Sequence, residues 1–468
     1  MTTEQWSELD PKHSARLIPI SVGTEAQERR AVSVLLSVIS AVTEFGRSLL
    51  RPVGAPAGKA TCFVETEFKL GEKTLRPDGI ILVSRGGQQW VALVEAKTTD
   101  QPLDPQQIED YLELARFRNA DALITISNQY VATADEHPIA IDKRRLRNLE
   151  LRHWSWMDIL TEARVQASNQ EISDPDQAYI LEEMIRFLED KSSGVLGFTT
   201  MGKSWTKVRD AARRGQLAGL DQEIDDIASK WEDLARYAAL TLTTDLGRDV
   251  KHLLRGAARS RELRQRDLKD MLRNERRLVA ELQVPDAAGT VLIEADLHGR
   301  QIIVSSRVDA PKAGTSRGRV SWLLRQIEKS PDSVTVQAHV PYVRESKSIS
   351  LTEARSSPSV LYPEGDKEIV AFTLRQQSEV GLRQDDAEGS FIRSVLDATE
   401  NFYRDVLQKI RPWVPTPARL KSPEQAPEGE QLTQQAEADG QLGAVAEPTD
   451  VPQAQNSGEP KRNLERNP

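Results

Sequence analysis

At 468 residues the chain is too long for one ordinary core, and the usual size of a domain predicts two or three of them. A net charge of -9 and a pI near 5.5 exclude a chain that coats nucleic acid non-specifically, while leaving room for a local basic surface. The single cysteine, Cys62, excludes an internal disulfide and any cysteine-cluster metal site.

Residues 25–50 place Val34, Val38, Ala41, Val42, Phe45 and Leu49 at spacings of three and four, which predicts one amphipathic helix ending before Arg51-Pro52. From residue 61 the period shortens. TCFVETEF, LRPDGIILV and QWVALVEAK read as three strands separated by the turn-like LGEKT and SRGGQ. A helix over 105–118 follows, then DALITIS and LRHWSW as two more strands. The order α-β-β-β-α-β-β predicts a mixed sheet in a three-layer α/β sandwich.

A helix over 178–190 leads into SSGVLGFTTMGKSW, the expected exit from this first unit. Residues 221–282 are almost free of glycine and proline, and Ile224, Ile227, Trp231, Leu234 and Ala238 keep helical spacing. They predict long helices packed as a hairpin or short coiled coil, a possible homodimer seam. GTVLIEADL, GRQIIVSSRV, SVTVQAHV and EIVAFTLRQ read as strands of a second, α+β unit closed by the helix SFIRSVLDATENFYRDVLQKI. Residues from 416 on hold no aromatic side chain and nine acidic against five basic ones, so a disordered tail is expected. With no charged-then-apolar leader and no apolar run of roughly 20 residues, the expectation is a soluble, cytoplasmic chain.

The stretch RPDGIILVSRGGQQWVALVEAK carries the chemistry. Asp78 opens one strand, and Glu95 and Lys97 close the next. Two residues apart, Glu95 and Lys97 share a strand face, and hairpin pairing brings Asp78 to the same sheet end. Asp78, Glu95 and the carbonyl of Ala96 are the hard oxygen ligands that Mg²⁺ or Mn²⁺ prefers, and Lys97 beside them orients or deprotonates a water for phosphodiester hydrolysis. The competing reading is a set of strand-end polar residues. It is weakened because both charged groups follow the apolar run VALV, where charge without a partner is costly.

These residues, Pro77-Asp78 and Glu95-Ala96-Lys97, resemble the motif of the PD-(D/E)XK nuclease superfamily over about 140 residues, and the element order resembles that superfamily's restriction-endonuclease-like core. Gln107 and Tyr111 resemble the Q-x-x-x-Y signature of RecB-like and Cas4-like members, which helps hold DNA or the site. AQERR resembles the helix start of junction resolvases, which makes Glu28 the candidate helix glutamate, with Glu25 next and Glu44 weaker. The histidine frequent in RecB-like helices is missing. The resemblance implies a metal-dependent deoxyribonuclease acting in repair or in defence against foreign DNA. The alternative is a catalytically silent nuclease-fold module that binds DNA or a protein partner.

The expected organisation is thus an extension over 1–24, the nuclease-like domain over 25–170, a helical connector over 171–285, an α+β domain over 286–415 and the tail over 416–468. Between residues 248 and 277 eleven Lys or Arg stand against five Asp or Glu. Arg255, Arg259, Arg266, Arg273 and Arg277 recur at intervals that suit one face tracking a nucleic-acid backbone, or equally a solvated, salt-bridged surface. Gly202-Lys203-Ser204 lacks the earlier glycine of a phosphate-binding loop, so no nucleotide cofactor is expected. The six histidines have no zinc spacing.

Overall fold

A computed structural model of the chain describes residues 17, 26–169, 171–342, 348–365 and 367–412. The expected tail, the extension apart from Leu17, and Glu25 lie outside them.

The run expected as one helix is two, α1 (Ala26–Ala41) and α2 (Thr43–Leu50), bent by 108°. Val42 between them is extended at φ -103°, ψ 97°. Glycine at position 46 permits the fold-back, since a Cβ there would stand 2.4 Å from the Ile39 carbonyl oxygen. There follow β1 (Lys59–Val64), the small hairpin β2 (Phe68–Leu70) and β3 (Lys73–Leu75), then β4 (Gly79–Arg85), β5 (Gln88–Ala96), α3 (Pro105–Phe117), β6 (Ala122–Ser127), β7 (Glu150–Ser155) and α4 (Trp156–Ser168).

The first sheet has the order β1-β4-β5-β6-β7. β1, β4 and β5 pair antiparallel, whereas β6 and β7 continue in parallel from β5, so the sheet is mixed. Period-two alternation sends Ile81, Val83, Ala92 and Val94 to one core with α1 and α4. It sends Ile80, Leu82, Val91 and Leu93 to another with α3. Helices therefore cover both faces of the sheet, and burial of both explains the near-continuous apolar runs of β4 to β6.

The remainder is α5 (Pro175–Glu189), α6 (Trp205–Arg214), α7 (Asp221–Leu246), β8 (Lys251–His252), α8 (Arg261–Glu275), β9 (Arg277–Gln283), β10 (Val291–Asp296), β11 (Gln301–Asp309), α9 (Ser316–Gln326), β12 (Thr335–His339), β13 (Ser348–Ser350), α10 (Leu351–Ser356), β14 (Ala371–Glu379) and α11 (Phe391–Asp405). The second sheet is seven-stranded, β13-β12-β14-β11-β10-β9-β8, with every neighbouring pair antiparallel.

Two features depart from the expected connector over 171–285. β8 and β9 fall inside it yet belong to the second sheet. The apolar stripe of α7 is no exposed coiled-coil seam: Ile224, Ile227, Trp231, Leu234 and Ala238 are buried by the chain itself. Trp231 donates from Nε1 to the Val279 carbonyl at 2.9 Å, and its ring lies 6.1 Å from Phe391 of α11. One core runs from α1 through α7 to Ile410, because α4 packs against α7 as well as against its own sheet. Among the described residues no single helix is long and apolar enough to cross a membrane.

Candidate active site

The first sheet builds the site at the end where β4 begins and β5 finishes. Gly79 pairs with Val94, and one step further the ladder would continue. There the Asp78 carboxylate takes over, its Oδ2 accepting from the Ala96 N–H at 2.8 Å. Lys97 N donates to the Ile126 carbonyl at 2.8 Å, extending the β5–β6 ladder past the last strand residue. Glu95 and Lys97 share a face as their spacing requires, with Lys97 Nζ 2.6 Å from Glu95 Oε1 and 3.0 Å from the Ala96 carbonyl oxygen.

Glu28, in the first turn of α1, reaches the same place, with Oε1 3.4 Å from Lys97 Nζ. Of the helix glutamates, Glu28 joins the cluster and Glu44 lies on α2, beyond the bend. Gln107 and Tyr111 lie one turn apart on α3. Gln107 Nε2 donates to the Tyr111 hydroxyl at 3.2 Å, and the hydroxyl donates to the Arg76 carbonyl at 2.9 Å. The pair thus clamps the Arg76-Pro77-Asp78 turn. Trp156, to which the sequence assigned no role, starts α4, is fully buried, and donates from Nε1 to the Lys97 carbonyl at 2.9 Å.

Three carboxyls and one ammonium in a half-sealed space set the electrostatics. Glu95 is 1% exposed, and burial, then the facing Asp78, push its carboxyl up to about 9. Burial likewise raises Asp78, against the pull of Lys97 and the Ala96 N–H. Glu28 is raised by burial and by Asp78. Burial works against the charge on Lys97, yet Glu95, Asp78 and Glu28 together carry it up to about 12. Burial and the nearby Glu95 raise the Tyr111 phenol. Among the described residues, the second oxygen of Glu95, Oε2, is buried without a hydrogen-bond partner. A site with more negative than positive groups and an orphaned carboxylate oxygen suits a hard cation by its donor chemistry. Among the described residues, however, no three or more His, Cys, Asp or Glu side chains stand ready as an ion cage. The Ala96 carbonyl already accepts from Lys97.

No family model, curated protein or solved structure matches the chain.

The five arginines considered for a nucleic-acid face are spread over several elements. Arg255 lies in the loop after β8, Arg259 ends a 3₁₀ turn, Arg266 and Arg273 lie on α8, and Arg277 starts β9. Arg255 pairs with Glu281 at 3.1 Å, Arg273 with Asp221, and Arg277 with Glu294 and Asp296 at 3.8 Å each, which is the salt-bridged alternative. The histidines hold a different surprise. His137 Nε2 and His153 Nδ1 each lie 2.9 Å from the Thr125 hydroxyl, a contact between residues far apart in sequence that no spacing rule reveals.

Proposed function

We propose that this chain is a metal-dependent nuclease of the PD-(D/E)XK type, with a restriction-endonuclease-like first unit, that hydrolyses phosphodiester bonds of DNA in repair or in defence against foreign DNA. The observation that carries the reading is the convergence of Asp78, Glu95 and Lys97 with Glu28 at one sheet end, held there by Trp156 and the Gln107–Tyr111 pair. Strand-end polar residues with no common task would not need five separate elements to meet.

Asp78, Glu95 and the Ala96 carbonyl are the groups that would hold Mg²⁺ or Mn²⁺. When bound, the ion supplies Lewis acidity and neutralises charge at a phosphodiester. Lys97, raised to about 12, is a permanent cation near neutral pH. It therefore serves as a hydrogen-bond donor to a phosphoryl oxygen or to the attacking water, not as the base. Glu28, raised and partly open, is the better proton acceptor, since a base works best with a pKa nearer the working pH. Tyr111 and Gln107 fix the turn that aims Asp78.

The test is cleavage of linear duplex, circular and single-stranded DNA with Mg²⁺ or Mn²⁺, beside Lys97→Ala. Metal-dependent cutting lost in the variant supports hydrolysis and sorts end from internal attack. One observation favours a second reading, a silent nuclease-fold module that binds DNA or a protein partner. Lys97 Nζ already meets Glu95, the Ala96 carbonyl and Glu28, so its three donors are taken within the chain. DNA binding without cutting would select that reading.

A further inference from the structure

Two residues beyond Lys97 the chain enters the wall of a cavity of about 340 Å³. Two extended residues span at most about 7 Å, so this wall begins close to the Lys97 backbone. It opens at the carboxyl ends of the parallel strands β5 and β6 and is closed from the other side by α7 and the start of α8. Crevices outside the carboxyl ends of parallel strands are where open α/β sheets take ligands.

The rim is preformed. Asn128 Nδ2 donates to the Thr99 carbonyl at 2.8 Å and to the Gly194 carbonyl at 3.0 Å, and its Oδ1 accepts from Leu196 N at 3.0 Å. Tyr130 and Phe198, each less than a tenth exposed, pack edge to face at 6.4 Å in the wall. Lys230 of α7 holds its ammonium 5.6 Å over the Phe198 ring and 3.2 Å from Asp233, and Arg261 adds a second cation. Burial raises the Asp233 carboxyl to about 6, against the pull of Lys230. An aromatic wall, two cations and one carboxylate acceptor match a ligand that joins a planar ring bearing N–H groups to an anion, which is the chemistry of a nucleotide.

We propose that this cavity takes one unpaired nucleotide of the substrate strand, next to the phosphate at Asp78, Glu95 and Lys97. Its phosphate goes to Lys230 and Arg261, its base lies against the Tyr130 side of the wall, and Asp233 accepts from the base edge. The inference rests on the nuclease reading of the neighbouring site and narrows the substrate class to single strands or frayed ends. A cavity of this volume has room for one nucleotide, and a base edge that meets Asp233 is not free to pair.

The experiment uses the full chain carrying Lys97→Ala, so that substrate is not consumed. Binding of a 5′-labelled single-stranded oligonucleotide and of a blunt hairpin duplex is followed by fluorescence anisotropy across a salt series. Adding Ser229→Trp, which fills the cavity, or Lys230→Ala is expected to weaken single-strand binding by about tenfold and leave the duplex value unchanged. Lys230→Ala is also expected to make the slope of log K against log salt shallower by about 0.7. Thermal melts check that each variant is folded. Equal single-strand binding by parent and both folded variants would overturn the proposal, as would a parent that binds duplex as well as single strand. If the chain with Lys97 intact fails to cut while the cavity variants lose binding, the nucleotide subsite stands and hydrolysis falls. If it cuts while the cavity variants bind normally, hydrolysis stands and the subsite falls.

Discussion

The indole of Trp156 donates to the Lys97 carbonyl at 2.9 Å, tying the first residue of α4 to the last motif residue. Trp156→Phe keeps most of the buried ring and removes that one bond, at a cost of about 1 kcal/mol in stability. The Lys97 backbone is then held only by its ladder bond, so kcat for the proposed DNA cleavage is expected to fall by about tenfold with KM little changed. Steady-state kinetics beside a thermal melt check this. Unchanged kcat in a folded variant would show that Trp156 is a packing residue alone.

Glu95 provides a pH test that needs no substrate. Its folded-state pKa is raised to about 9 from an ordinary value of 4.5, so the folded protein binds more protons than the unfolded one between those limits. The associated stability is complete below about pH 4.5 and is lost as pH rises toward 9. Glu95→Gln, measured with a chelator present, is expected to flatten this decline in melting temperature. A decline of the same slope in the variant would place the titration elsewhere.

Divalent ions should reverse that decline. Binding to Asp78 and Glu95 requires both carboxylates ionised, so it releases protons and favours the folded state. Calorimetric titration with Mg²⁺ near pH 7.5 in two buffers of different ionisation enthalpy counts the protons. Asp78→Asn is expected to abolish both proton release and the rise in melting temperature. Proton release undiminished in that variant would rule out Asp78 as a ligand.

The Thr125 hydroxyl bridges two rings whose nitrogens are otherwise spent. His153 Nε2 lies 3.0 Å from the Gln129 carbonyl, and His137 Nδ1 accepts from Ile139 N at 3.1 Å. Burial lowers both imidazoles to about 4, in His137 with help from His153. The sign is opposite to that of Glu95: this contribution is complete above about pH 6.5 and lost as pH falls toward 4. Thr125→Val leaves two buried nitrogens unpaired, at about 1–3 kcal/mol each. Urea unfolding at pH 7.5 and pH 5 measures the loss, and a variant as stable as the parent would show that the bridge contributes nothing.

Arg264 is 5% exposed and meets Glu136 at 2.9 Å and Glu232 of α7. It joins the loop after β6 to the α7–α8 pair. Arg264→Met strands two carboxylates, and a loss of about 3–5 kcal/mol is expected. Adding Glu232→Gln should restore part of it, which denaturant melts of the single and double variants would reveal.

The strands were legible because a half- or fully buried strand must alternate or run apolar, and GIILV and VALVEA do so whatever surrounds them. The same period put Glu95 and Lys97 on one face. The break at Val42 was not legible, since the helical period runs through it and only the approach of Gly46 to the Ile39 carbonyl exposes the bend. The layout of the basic run over 248–277 was not legible for a related reason: its charges are close in sequence but spread over a loop, a helix and a strand.

Local periodicity and motif spacing, which act within one element, thus determined the mixed sheet and the residues Asp78, Glu95 and Lys97. Only the tertiary structure decided that Glu28 and Trp156 meet Lys97, that α7 is a core helix, and that a cavity opens beside the site. Those contacts join elements tens of residues apart, and they follow from which apolar faces cover one another, a choice that long-range packing makes.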